Sequence, residues 1–176
     1  NRELYQITGQ RAIFRAADAH LATFGFQQIN HLLHNTAEGQ IHTGRMMKTL
    51  LNIAYRRGIS IYNGWRIDQL QSTARGAILT NTVHGAVSAR RVLVATNGFG
   101  KQLLPELAVV PARNQVLITR PIENLKIKGT FHYDQGYFYF RNIDNRILLG
   151  GGRQLDKTGE ATTQFGTTTP IQTALR

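Results

Sequence analysis

At 176 residues, with 41% hydrophobic residues and no cysteine, the chain is long enough to close one or two ordinary cores, and it carries neither a disulfide framework nor a thiolate metal site. The formal charge of +11 arises from 21 Lys and Arg against 10 Asp and Glu, and the basic residues are scattered, as at Arg11, Arg15, Arg56, Arg57, Arg90, Arg91, Lys126, Lys128 and Arg153, with no run of four and no basic helical stripe, a distribution that argues against nucleic acid as a partner. No stretch approaches the roughly 18 apolar residues of a membrane span, and Asn1-Arg2-Glu3-Leu4 lacks a leader pattern, so the expectation is a soluble, cytoplasmic protein with no membrane partner.

Residues 11–24 place Ala12, Ile13, Ala16, Ala17, His20, Leu21 and Phe24 at helical spacing before Gly25, which predicts an amphipathic helix. A polar stretch at 35–39 leads to the strongest helical pattern, 44–57. There Met46, Leu50, Ile53 and Ala54 share a face, Arg56 and Arg57 close the last turn, and Gly58 stops it. Beyond Gly58 the texture becomes short β-type runs at 59–62, 65–71, 77–81, 86–88 and 91–96, divided by Asn63-Gly64, Arg75-Gly76 and His84-Gly85. Val92, Leu93, Val94 and Ala95 show no polar alternation and read as a buried central strand. Further strands are expected at 116–119, 129–133, 137–141 and 146–150, with Asp144-Asn145 as a hairpin turn, and a helix begins near Ile171.

The candidate chemistry lies in three places. Ala95-Thr96-Asn97-Gly98 follows the expected central strand, where small residues either make a simple turn or let backbone amides approach a phosphate or a ring. Pro111-Ala112-Arg113-Asn114-Gln115 opens a second strand, and Arg113 is either a structural residue between lobes or a functional cation. Strict alternation puts Tyr137, Tyr139 and Arg141 on one face of a strand and Phe138 and Phe140 on the other; the polar face suits either an ordinary interface or recognition of a carboxylate. Gly150-Gly151-Gly152-Arg153 lacks the Walker ending and a following helix and reads as a flexible strand end. The six histidines form no metal-binding pair, and His31 and His34 have no carboxylate near them in sequence, so no metal site is expected.

The order of a strand, the Ala95–Gly98 turn and the strand opening at Pro111-Ala112-Arg113-Asn114-Gln115 resembles the FAD-dependent amine and amino-acid oxidase family, which includes D-amino-acid oxidase, glycine oxidase, sarcosine oxidase and gamma-glutamylputrescine oxidase-like branches. The resemblance covers residues 38–155; the family usually has Gly where Asn97 and Asn114 stand. It implies an α/β plus α+β fold, in which part of an FAD-binding doubly wound domain with a β-meander joins an antiparallel-sheet substrate domain. The division it suggests is 1–37 unassigned and helical, 38–110 cofactor domain, 111–168 substrate sheet, and 169–176 the start of a helix. It assigns FAD contacts to Arg66 (through its main chain), Ala95, Thr96, Asn97, Gly98 and Arg113, and substrate contacts to Tyr137, Tyr139 and Arg141. The activity implied is oxidation of a C–N bond in a small amine or amino acid by the full-length protein, of which this chain is an internal fragment, inactive alone. The G-x-G-x-x-G phosphate loop of such proteins does not occur in these residues. A reading of a different class is a non-catalytic basic α+β module that binds nucleic acid or a protein through the Tyr/Arg face.

Overall fold

The computed structural model describes residues 1–176 and divides into two compact units. One comprises Asn1–His42, Asn114–Asp156 and Thr167–Arg176, the other Thr43–Arg113 and Lys157–Gly166. This grouping differs from the sequence division, because the first 42 residues pack with the later antiparallel sheet and residues 157–166 return to the unit that holds the long helix. Helix and sheet are mixed in the chain, and every strand pairing is antiparallel.

In the first unit, helix α1 (Arg2–Thr8) precedes a two-stranded ribbon of β1 (Phe14–Ala16) and β2 (Leu33–Asn35), and a 3-10 turn at Asp18–His20 runs into the short helix α2 (Leu21–Phe24). The helix expected over 11–24 is therefore corrected to a strand, a turn and one helical turn. Longer-range bonds win over local periodicity here. The Asn1 side chain bonds both the N–H and the carbonyl of Phe14 at 2.9 Å, as a neighbouring strand would, and Asp18 accepts the Leu32 N–H at 2.7 Å.

Four later strands form the main sheet of this unit. The β-elements that supply it are β6 (Gln115–Ile118), β7 (Thr130–Tyr133), β8 (Phe138–Ile143) and β9 (Arg146–Gly151), in the order β6-β9-β8-β7. Asp144, at φ 50°, makes the expected tight turn between β8 and β9. Phe131 and Phe140 are register partners whose rings stack 4.9 Å apart, and Phe26 meets both edge-on while Phe24 meets Phe131. This cluster covers one face of the sheet. Helix α4 (Thr169–Ala174) is tied to β6 by buried Gln115, whose side chain accepts the Thr168 N–H and donates to the Thr168 hydroxyl. Ile171 and Leu175, 1% and 3% exposed, anchor the same helix.

The second unit holds helix α3 (Thr43–Arg56) and the three-stranded meander of β3 (Gln69–Thr73), β4 (Gly76–Asn81) and β5 (Gly85–Ala89). The helix matches its periodicity and ends at Gly58, whose φ of 72° is the left-handed stop expected there. Its apolar stripe buries no residue. In the meander, Asn81 organises the β4–β5 turn: its Oδ1 accepts the N–H groups of Val83 and His84, and its Nδ2 donates to the Arg66 carbonyl at 2.7 Å. Two strand expectations fail in this unit. Residues 59–62 and 91–96 pair with no strand, and Leu93 is 90% exposed, so the central strand read from Val92–Ala95 is corrected to an unpaired segment. A strand of that kind draws its regularity from parallel neighbours, and none of the three sheets in this chain provides one.

Candidate functional site

The predicted residues fall into two sets, one in each unit. Arg66, Ala95, Thr96, Asn97, Gly98 and Arg113 belong to the helix-and-meander unit, and Tyr137, Tyr139 and Arg141 to the four-stranded sheet.

In the first set, the chain turns into a 3-10 segment at Asn97–Gln102, with Asn97 at φ 50° and the Phe99 N–H donating to the Thr96 carbonyl. Asparagine tolerates this left-handed conformation better than most residues, so its presence where glycine is usual leaves the turn intact. Gly98 lies against Pro111: a Cβ placed on it would come within 3.1 Å of the proline ring. The 95–98 turn and the Pro111–Arg113 segment are therefore neighbours, as their order in sequence led one to expect. Residues 157–166 close over both. Arg113 makes a bidentate pair with Glu160 (Nε to Oε2 3.0 Å, Nη2 to Oε1 2.7 Å), its N–H donates to the Glu160 carbonyl at 2.7 Å, and the Phe99 and Phe165 rings lie 5.9 Å apart. Glu160 is 1% exposed, so the charge of Arg113 is compensated by a buried carboxylate.

Arg66 stands before β3, not on a strand as expected. Its Nε faces Asp68 at 3.3 Å and its carbonyl is bound by Asn81. Asp68 also accepts the Thr82 N–H and hydroxyl, each at 2.9 Å. The Thr82 backbone bond, then its hydroxyl and the Arg66 guanidinium, hold the Asp68 carboxyl below its ordinary range.

In the sheet unit the predicted alternation holds for Tyr139 and Arg141. Their strand neighbours Phe138 and Phe140 lie on the opposite side, and Phe140 joins the aromatic cluster. Tyr137 is a correction. It follows a 3-10 turn at Asp134–Gly136 and has α-type angles (φ −66°, ψ −27°), so it has left the ladder, and the period-two argument stops at Phe138. On the face opposite the aromatic cluster, the Tyr139 hydroxyl accepts a hydrogen bond from Asn114 Nδ2 at 3.1 Å, the His132 ring lies 6.4 Å from the Tyr139 ring, and Arg141 Nη1 donates to the Ile41 carbonyl at 2.5 Å. Burial raises the Tyr139 phenol above its usual value of 10.0. A small hollow beside Arg141 is lined by Gln40, His42, Asn142 and Asp144.

Gly150 and Gly151, read from sequence as a flexible end, are corrected to buried residues inside β9. The ring of Tyr139 lies directly over Gly150, and a side chain on Gly151 would strike the backbone of Tyr137 and Phe138. Sequence reading missed Glu160 altogether, since its partner stands 47 residues away and no motif marks it. It also missed that Asp18 is brought to His31, 3.1 Å from its Nδ1.

The sequence profile of the DAO family, described as FAD dependent oxidoreductase, matches residues 4–176. The chain belongs to this family. Among curated proteins it is similar to a probable oxidoreductase, OrdL, of Rhizobium meliloti (strain 1021), with 29% identity over 129 residues that make up 69% of this chain and 30% of that protein. The chain thus spans about 30% of the length of the relative it matches. An FAD-dependent oxidoreductase is an enzyme when full length, and FAD is its cofactor. No helix of the chain is long and apolar enough to cross a membrane.

Proposed function

We propose that this chain is an internal fragment of a flavoenzyme that oxidises the C–N bond of a primary or secondary amine or an amino acid, and that it does not act alone. The observation that carries the reading is the contact of Gly98 with Pro111, which joins the two segments whose order in sequence resembles the amine oxidase branches.

The residues of the helix-and-meander unit fit a cofactor in one respect and modify the expectation in another. A left-handed Asn97 followed by Gly98, with Ala95 and Thr96 before them, presents main chain with little side chain in the way, which suits close approach of a large planar or phosphorylated group. Arg113 does not suit the part of a lone cation, because Glu160 neutralises it; in this proposal it fixes the wall formed by residues 111–113. At Arg66, with the carbonyl already bound by Asn81, reading of an adenine falls to the amide N–H. When bound, FAD accepts the hydride from the carbon that bears the amine.

In the sheet unit, Tyr139 and Arg141 share a polar face, and Tyr137 stands at its end. A guanidinium has five N–H donors, of which the bond to Ile41 uses one, so Arg141 retains the capacity to grip a carboxylate. Support for the alternative, a non-catalytic basic module, is weaker, since it leaves the family match over residues 4–176 without a role. The test is anaerobic reduction of the flavin in the full-length protein. Amines or amino acids should bleach its absorbance and 2-hydroxy acids should not; bleaching by the hydroxy acids alone would defeat the C–N assignment.

A further inference from the structure

The meander of β3, β4 and β5 gathers at one end a set of hydrogen-bond donors that the flavoenzyme reading does not use. Gly76 follows the Ala74-Arg75 turn, and a Cβ on it would lie 2.2 Å from the Ala89 carbonyl oxygen and 2.8 Å from the Arg90 Cα. With a φ of 148° and no side chain, Gly76 lets the end of β5 lie close against that turn, so Arg90 shares a hollow with Arg75 although the two are distant in sequence. The hollow has a volume of about 260 Å³ and is lined by Thr73, Arg75, Ser88 and Arg90 around small residues. Thr73 pairs with Gly76 and Ser88 with Ile78, two positions further along β4, so both hydroxyls leave one face of the sheet. Neither guanidinium and neither hydroxyl is bonded within the chain.

We propose that this end of the meander is an anion site, separate from the flavin, that takes a phosphate group, either inorganic or at the end of a small monoester. A tetrahedral phosphate offers acceptor oxygens in several directions, which suits two guanidinium forks and two hydroxyls supplied by different strands, whereas one fork already saturates a planar carboxylate. The surrounding charge agrees. The acidic residues of this unit are Asp68, Glu106 and Glu160, and none of them lines the hollow. Glu160 is taken up by Arg113, and Asp68 by Thr82 at the opposite end of the meander. A strand length of about 17 Å separates Asp68 from Thr73, beyond the reach of its charge in physiological salt. Small-molecule sites ordinarily enclose roughly 300–1,000 Å³, so this smaller hollow holds the phosphate itself and leaves its bearer outside.

The experiment is calorimetric titration of the full-length, FAD-loaded protein, whose flavin site is already filled, at about pH 8, where phosphomonoesters are dianionic. Inorganic phosphate and glycerol 2-phosphate are the two probes. Saturable binding of either supports the proposal, and the tighter one identifies the source; acetate at equal concentration should give no saturable heat. Arg75→Gln and Arg90→Gln should each weaken phosphate binding by about tenfold. Arg90→Lys should lose less, because it keeps the charge and gives up only the fork. Arg57→Gln removes an exposed cation just beyond α3, outside the hollow, and should leave the affinity unchanged. Arg75 and Arg90 are exposed, so their variants should fold, and unchanged flavin absorbance verifies it. No saturable heat with either phosphate, equal binding of acetate, or an equal loss in Arg57→Gln overturns the proposal. None of these outcomes depends on which substrate reduces the flavin.

Discussion

Among single residues, Glu160 joins a charge pair to a backbone tie. Its carboxylate is almost wholly buried, satisfies both arms of the Arg113 fork, and its backbone carbonyl receives the Arg113 N–H, so one residue fastens the 157–166 segment to the strand entry at Pro111–Arg113. Removing its charge strands a guanidinium that is itself only 15% exposed. The variant Glu160→Gln is expected to lose about 3 kcal/mol of stability, read as a lower urea midpoint at unchanged slope. Asp68 provides the pH-dependent counterpart. Its folded carboxyl titrates below its ordinary value near 3.8, chiefly because of the Thr82 N–H, so its stabilising contribution is complete above that value and disappears as pH falls through the folded one. The native chain should therefore outlast Asp68→Asn in urea at about pH 6, and the gap between them should narrow as pH falls below the ordinary carboxylate range. Asp68 and Glu160 differ in legibility. Asp68 and Arg66 lie two positions apart in the chain, whereas no local pattern joins Arg113 to Glu160, and only the fold reveals that the cation read from sequence has an acidic partner.

At the scale of elements, strength of pattern and depth of burial part company. Helix α3 has the clearest amphipathic periodicity in the chain, and its boundaries fall within a residue of those read from sequence, yet Leu50 on its apolar stripe is 50% exposed. The aromatic cluster of Phe24, Phe26, Phe131 and Phe140 draws on a segment whose sequence pattern pointed to a longer helix, but it covers the main sheet. Stability should follow burial. Phe140→Ala is expected to cost about 3 kcal/mol by leaving a gap between Phe26 and Phe131. Leu50→Ala should change stability by no more than about 0.5 kcal/mol in either direction. Thermal unfolding of the two variants beside the native chain makes the comparison, and a larger loss for Leu50→Ala would mean that α3 is covered in solution. Meander and hairpin strands were legible because their turns carry Gly, Asn or Asp at the positions that need them, as at Gly76, Gly85 and Asp144, each with positive φ. The 11–24 segment misled because its helical spacing is incidental to contacts with Asn1 and Leu32 that lie outside any local window.

For the whole molecule, the relevant facts are the exposed apolar residues, which include Leu93, Phe165, Val110 and the α3 stripe, and a core in which Ile13, Ile171 and Leu175 are the buried hydrophobic residues. Surfaces of this composition bind hydrophobic dyes. The chain by itself should enhance the fluorescence of such a dye well above a compact protein of equal mass, and the longer protein should not. FAD added to the chain alone should remain free by fluorescence polarisation, since the 176 residues contain no G-x-G-x-x-G loop to receive its pyrophosphate. Tight stoichiometric uptake would show that the 95–98 turn and its neighbours suffice.

Periodicity, turn chemistry and motif order are local quantities, and they were enough to establish the long helix, the meander, the antiparallel strands, the alternation of Tyr139 and Arg141, and a flavin-dependent family. Partner choice is not local. The compensation of Arg113 by Glu160, the phenol laid over Gly150, the aromatic cover supplied by residues 17–26, and the unpaired state of Val92–Ala95 all depend on which distant backbone lies alongside, and three-dimensional packing alone decides that.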